Sequence, residues 1–268
     1  MFSKLYNEAI IEFELETVSP LFIKSSEEDQ LNPTSAENTY LAFYKDGKRV
    51  PVIPGTSLKG VFRSRAEEKL TSTCNLFNGD NCGSKIREKE KELEKRLNGQ
   101  ERYEESCLAC KIFGSTALKS RVQFSDAYPI SSFRIGKRSA VAIDRITGAS
   151  KRGALFDFEY VEYCKFKANI KFKNFYKWHI KLIIDIFEDI NDGLVTFGGL
   201  TSKGFGVMKA DNVNLLVRYY DKSKKNEDYQ EDGLYIYKKI EGLERIADLF
   251  KNVDYGDEGR DISNEQAI

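Results

Sequence analysis

Four of the five cysteines fall in one short stretch of the chain: Cys74, Cys82, Cys107 and Cys110. Four thiolates suit tetrahedral zinc. A site closed by four sulfurs is structural, because a catalytic zinc keeps one position open. The Cys107-x2-Cys110 pair has ordinary ligand spacing. Cys74-x7-Cys82 is looser, and Asn81-Cys82-Gly83 supplies the flexible backbone that a ligand knuckle needs. In a reducing compartment such a group reads as metal before disulfide. Buried free thiols are the alternative. Cys164 lies outside the group and reads as core. The only histidine, His179, excludes chemistry that needs a histidine pair. It sits beside Trp178 in a strand-like run and reads as a satisfied core residue.

Two further constellations could meet phosphate. Gly198-Gly199 and Gly204-Phe205-Gly206 flank Thr201, Ser202 and Lys203. Glycine lets backbone N–H groups approach a phosphate closely, and Lys203 adds a point charge. The order of residues is not that of a Walker A loop, and an ordinary hairpin turn would look similar. The segment from Val141 to Ala149, running on to Gly153–Glu159, reads as two strand edges around a basic turn, Lys151-Arg152. An exposed hairpin bearing Arg145 and aromatic residues can neutralise phosphates or wedge between bases. A plain surface hairpin remains the alternative.

The elements that must position these groups are legible in outline. Residues 7–24 alternate apolar and polar, so Ile11, Phe13 and Leu15 share one face of a strand. A carboxylate-rich loop follows from Ser25 to Asn38. YLAFYKDGKRVPVIPG predicts a hairpin turning at Asp46-Gly47. Ile53-Pro54-Gly55 then turns into a helix, with Thr56 and Ser57 placed to cap it. The stretch 85–105 is almost wholly charged and predicts one exposed helix projecting from the body. Residues 118–165 predict short strands around a basic loop, and NIKFKNFYKWHIKLIIDIF predicts one or two strands. LERIADLFKNV reads as a short amphipathic helix, and the last dozen residues as disordered. This order suits an α+β fold, a ferredoxin-like (RRM-type) βαββαβ core with large insertions.

Composition sets limits. The chain has 268 residues, 42 Lys+Arg and 42 Asp+Glu. A zero net charge does not advertise nucleic-acid binding, but the distribution is uneven. Lys111 to Lys173 holds 13 Lys/Arg against 5 Asp/Glu, whereas Asp254 to Ile268 holds five acids and one arginine, a tail expected to stay in solvent. Apolar runs are strand-length, short of the roughly 20 residues a spanning helix needs, and no signal-peptide pattern opens the chain. A soluble, cytoplasmic protein without a membrane partner is expected.

Four segments together resemble the RAMP superfamily, the backbone-subunit group of type III CRISPR effector complexes. They are IPGTSLKGVFRS at 53–64, CLACKIFGS at 107–115, AIDRITGASKRGALFDFEYV at 142–161 and GGLTSKGFGVM at 198–208. They occur in the family's order and span most of residues 8–210. The resemblance implies a RAMP domain over 1–216, with a zinc-bearing insertion at about 70–112 and a β-hairpin thumb at about 134–165. Residues 217–268 form a C-terminal extension with a partly disordered tail. It implies a guide-RNA groove lined by Thr56, Ser57, Lys59, Arg63 and Arg65. Thumb contacts come from Arg145, Lys151 and Arg152, and the signature glycine-rich loop contributes Gly199, Thr201, Ser202, Lys203 and Gly204. Its partners would be crRNA, target RNA and like subunits in a side-by-side filament serving antiviral defence. Sequence reading would be left to base pairing.

Catalytic members of that family carry an acid, usually Asp, in the loop after the first strand, where it aligns the 2′-hydroxyl or holds a divalent cation such as magnesium for RNA cleavage. Here Glu37 occupies the approximate position, with Asp29 earlier in the loop. The extra methylene of Glu displaces the carboxylate by about 1 Å, enough to cost roughly a hundredfold in rate. The alternative is a stand-alone endoribonuclease that matures guide RNA, a chemistry often run by histidine as acid or base.

Overall fold

The computed structural model describes residues 4–25, 39–75, 79–258 and 267–268, with residues 151–156 described by backbone alone. The first strand, β1 (Asn7–Thr17), realises the alternation of its sequence. Ala9, Ile11, Phe13 and Leu15 are buried, and Glu8, Glu12, Glu14 and Glu16 point to the other face. A hairpin of β2 (Ala42–Lys45) and β3 (Lys48–Pro51) turns at Asp46-Gly47, both at positive φ as the tight turn demands. Helix α1 (Gly55–Lys69) follows. Its N-cap is Pro54, and Asp126, not Thr56 or Ser57, takes the N–H of Gly55 at 2.8 Å. The expected hydroxyl cap is thus supplied by a distant carboxylate.

The charged stretch breaks into two helices rather than one. Helix α2 (Cys82–Glu92) ends near Glu94, which is left-handed at φ 47°. Asn98 and Glu101 then form a capping box that restarts the chain as α3 (Gly99–Glu104). Ile86, Leu97 and Tyr103 are buried, so this segment packs down instead of projecting. Helix α4 (Leu108–Phe113) and two short strands, β4 (Val122–Phe124) and β5 (Tyr128–Pro129), come next. A long antiparallel ribbon then stands apart from the main sheet: β6 (Arg134–Ile143) and β7 (Ser150–Tyr163).

Strand β8 (Lys165–Lys173) returns to the sheet, and α5 (Lys177–Asn191) follows. The apolar run expected as further strand is therefore half helix. Lys177, Lys181, Asp185 and Glu188 fall on one stripe while Trp178, Leu182, Ile183, Ile186 and Phe187 are buried. Charges every three to four residues give the helical period. Strand β9 (Met208–Tyr219), β10 (Gln230–Asp232), β11 (Tyr235–Glu241) and α6 (Leu243–Phe250) complete the order.

The main sheet runs β10-β11-β9-β1-β8-β4, with β5 also on β8. Taken as β1, α1, β4, β8, α5, β9, its core has strands in the spatial order fourth, first, third, second, all antiparallel. Helices α1 and α5 cover one face. Phe13, Phe62 and Phe187 meet there, with centroids 4.9 to 6.5 Å apart. Such aromatic pairs each add about 0.5–1.5 kcal/mol beyond burial. On the open face, Glu12, Glu14 and Glu8 pair with Lys167, Lys165 and Lys173 at 3.1, 3.0 and 3.9 Å. Each pair is worth little. Together they make the central strands an ion-pair lattice, without the aromatic residues on which an RRM stacks bases.

Residues past 217 continue the same sheet, since β11 pairs with β9. The acidic tail does not simply stay in solvent: Glu258 accepts a hydrogen bond from Tyr103 at 2.7 Å and pairs with Lys111 at 3.1 Å. Ile268 takes the Tyr229 hydroxyl on its carbonyl. No described helix is long and apolar enough to cross a membrane.

Candidate metal centre and nucleic-acid interface

Cys74 comes from the segment after α1, Cys82 from the first turn of α2, and Cys107 and Cys110 from the N-cap and first turn of α4. Their four sulfurs lie within 4.8 Å of one another, with Cys74 and Cys110 at 3.6 Å. A zinc tetrahedron with bonds of about 2.3 Å has edges of about 3.8 Å, so the donor set and its spacing fit a structural metal. Two donors stabilise negative sulfur. The Cys107 N–H points at Cys82 Sγ, 3.2 Å away, and the Arg63 guanidinium at Cys110 Sγ, 3.5 Å away. Hydrogen bonds from Cys110 and then Cys82 drive the Cys107 thiol far down. The bond to Cys107 pushes Cys82 up to about 11, and Cys110 also rises. Binding of a metal would take the remaining protons from these sulfurs, since the thiolate is the ligand. Cys164 is buried in the core, away from the group.

The glycine-rich loop spans the connection from α5 to β9. Its glycines serve close packing first. Gly198 (φ 76°) and Gly206 (φ 85°) lie against carbonyls of Phe22 and Phe197, where a Cβ would come within 2.4 and 2.1 Å. The N–H groups of Gly199 and Gly206 bond Phe22 and Pro20 at 2.7 and 2.8 Å, and that of Gly204 bonds Thr201. Those amides are therefore used within the protein. What the loop presents outward is its apex: Thr201, Ser202, Lys203 and Gly204 are all exposed. Beneath it, Phe205 packs with Phe22, Phe158 and Tyr160.

Phe158 and Tyr160 belong to the root of the β6/β7 ribbon, and Leu21 bridges Val161 there. Arg138 of β6 lies over the rings of Tyr160 and Phe205 at 5.1 and 5.4 Å. Loop and ribbon thus share one aromatic support. At the far end of the ribbon, Asp144 accepts the N–H groups of Ile146 and Thr147, each at 2.9 Å, and those bonds hold its carboxyl below the usual range. The turn exposes Arg145 and an almost wholly exposed Ile146 (97%). Lys151 and Arg152 lie in the part of β7 described by backbone alone, so their side chains are outside the description.

The α1 residues divide. Thr56 is exposed and Ser57 half-buried. Lys59 is half-buried, and burial, then the Arg63 charge, lower its pKa. Arg63 is occupied by Glu67 (2.8 Å), the Gly114 carbonyl (3.1 Å) and Cys110. Arg65 binds Asp189 at 2.9 Å and Glu68 at 2.6 Å, bonds that raise its pKa, and Lys69 joins it on Asp189. Arg63 and Arg65 therefore brace the four-cysteine cluster and the α1/α5 contact. Sequence reading missed Arg138, Lys119 and Lys171. The last two line a 540 Å³ cleft with Thr56 and Lys59. Glu37 and Asp29 lie outside the described residues.

This is an α+β protein with a four-sulfur centre, a glycine-rich loop and a projecting ribbon. The family model of the RAMP superfamily matches residues 14–209, which take in all three features. The chain belongs to the RAMP superfamily. Against curated protein sequences it has no significant match.

Proposed function

We propose that this chain is a guide-RNA-binding backbone subunit of a type III CRISPR interference complex, arrayed beside like subunits along crRNA in the cytoplasm. The observation that carries this reading is the common aromatic support of the Thr201–Gly204 apex and the ribbon root. It couples a loop suited to phosphate to a ribbon with a cationic, apolar tip suited to crossing a duplex. The strand order of the core supports a ferredoxin-like RAMP domain over 1–216. In this reading 134–165 is the thumb, 70–112 the insertion and 217–268 an extension that lengthens the sheet. The four thiolates suit zinc. Cleavage of paired target RNA with a divalent cation such as magnesium is assigned to Glu37 or Asp29; unchanged cutting by both alanine variants in the assembled complex would remove this role. The alternative, a histidine-dependent guide-maturing nuclease, is disfavoured because His179 is fully buried and its Nδ1 accepts the Tyr176 N–H at 3.3 Å.

The test is RNA affinity as a function of salt. Phosphate contacts release counterions, so log affinity falls linearly with log salt, by about 0.7 per contact on a single strand. Lys203→Gln should weaken binding equally for different sequences and make the slope shallower by about that amount. A wild-type affinity indifferent to salt would refute the proposal.

A further inference from the structure

The cleft between α1 and the β4 edge of the sheet has an unusual lining. Asp and Glu supply 42 of the 268 residues, yet among the described residues none of them lines this cleft. Three lysines do, each from a different element: Lys59 from α1, Lys119 from the connection between α4 and β4, and Lys171 from β8. Neutral donors, among them Thr56, Ser120 and Asn169, stand between them.

The placement of Lys171 departs from a rule its own strand sets. Along β8, Lys165, Lys167 and Lys173 each pair with a glutamate of β1. In register, Lys171 faces Ile10 instead. Among the described residues no carboxylate pairs with it. Lys59 is likewise without a carboxylate partner among the described residues, and both burial and the nearby Arg63 charge disfavour its ammonium. An anion entering the cleft would relieve that penalty. The cleft also opens into a second one, of 580 Å³, which shares Lys59, Lys119 and Ser120 and runs on past Cys74, Cys82 and Cys110. Among the described residues no carboxylate lines that space either. Cations spaced along two joined troughs, with hydroxyl and amide groups between, suit a linear polyanion rather than one compact anion.

We propose that these joined clefts hold the phosphodiester backbone of an RNA strand as it rounds the β4 edge, with Lys119 and Lys171 as phosphate contacts. The inference rests on the RNA-binding reading above and extends it to residues on the far side of α1 from the glycine-rich loop. It also gives the metal centre a task, since Cys74, Cys82 and Cys110 form part of the trough wall.

The experiment compares the full chain with the Lys119→Gln/Lys171→Gln double variant, using a fluorescein-labelled single-stranded RNA and anisotropy across a salt series. Both lysines are exposed, so folding is not at stake. Lys167→Gln, on the same strand but outside the cleft, is the control. The double variant should bind more weakly on every sequence, with a salt slope shallower by about 1.4, two contacts at about 0.7 each. The control should keep the wild-type slope. A double variant whose slope is unchanged both on the guide alone and with a complementary strand added, beside a wild type that binds RNA, overturns the cleft assignment and leaves the RNA reading standing. A wild type without RNA affinity overturns both. A second arm adds labelled complementary strand to guide-bound chain. A loss seen only there keeps the phosphate site but assigns it to the target strand.

Discussion

The guanidinium of Arg63 joins three structures at once: Glu67 on its own helix, the Gly114 carbonyl after α4, and the sulfur of Cys110. A donor aimed at a ligating sulfur holds that ligand in place and moderates its charge, and such supporting groups are commonly worth 10–100-fold in metal affinity. Arg63→Ala should therefore weaken zinc retention by roughly that factor, measured by competition with a chromophoric chelator on protein loaded with about one zinc per chain. Equal retention in variant and wild type would reduce the contact to packing. The cysteines themselves were legible, because four thiols in two pairs carry their chemistry in their spacing. The roles of Arg63 and Arg65 were not. A positive side chain on a helix after a glycine turn reads as a phosphate ligand until its partners are seen, and Glu67, Glu68 and Asp189 already occupy these two. Lys171 was invisible for the converse reason: that it faces Ile10, where its neighbours on the strand meet glutamates, is a property of the register, not of the residue.

At the scale of elements, the glycine-rich loop separates two uses of glycine that look alike in sequence. Gly206 sits at φ 85° with its α-carbon against the backbone of Phe197, and a Cβ would meet a carbonyl oxygen at 2.1 Å. Gly148, at the ribbon turn, has φ 70° and nothing within 4 Å of a Cβ. Alanine at Gly148 meets only the left-handed backbone penalty, about 1–2 kcal/mol. Alanine at Gly206 adds a clash with main chain, which cannot move aside as a side chain could, so its cost should exceed that of Gly148→Ala by at least about 1–3 kcal/mol. Chemical denaturation of the two variants measures the difference, and equal losses would mean that the loop relaxes freely. The α5 helix was misread for a related reason. Six isoleucines and leucines crowd residues 180–190 and favour a strand by local preference, but the surrounding charges at 177, 181, 185 and 188 keep helical spacing. Burial of the face between them against β1 and β9 then decides the outcome. The segment 85–105 departs the other way, since the left-handed Glu94 and the Asn98 cap that divide it lie within a run of charge.

At the scale of the whole molecule, residues far apart in sequence meet in a largely buried polar cluster. Tyr103 of α3, His179 of α5, Arg121 before β4 and Glu258 of the tail meet there. The Arg121 guanidinium lies over the rings of Tyr103 and Tyr176, at 4.2 and 5.3 Å, and donates to the Asn174 carbonyl. Burial lowers its pKa, and the Tyr103 hydroxyl is pushed up by the same cause. Three regions far apart in sequence thus depend on groups whose charge states are fixed by burial. His179 is the one whose ordinary pKa lies near neutrality. Burial first, then the charges of Arg121 and Lys111, hold its pKa well below the ordinary value of 6.5. The folded protein therefore keeps this imidazole neutral, while the unfolded chain takes up a proton below about pH 6.5. Because the unfolded state then binds more protons, stability is full above that pH. It falls as the solution is acidified, by up to about 1.4 kcal/mol per pH unit, until the folded pKa is reached. Cys107, whose thiol is held far down in the folded state, contributes equally to wild type and variant, so the difference between the two from about pH 6.5 to 5.5 isolates the histidine. His179→Gln should be less stable than wild type near pH 7.5, because it loses packing against Trp178. It should also lose this acid-dependent component. Urea unfolding at the two ends of the interval measures both effects, and an identical acid-induced loss in wild type and His179→Gln would show that the pH dependence resides elsewhere.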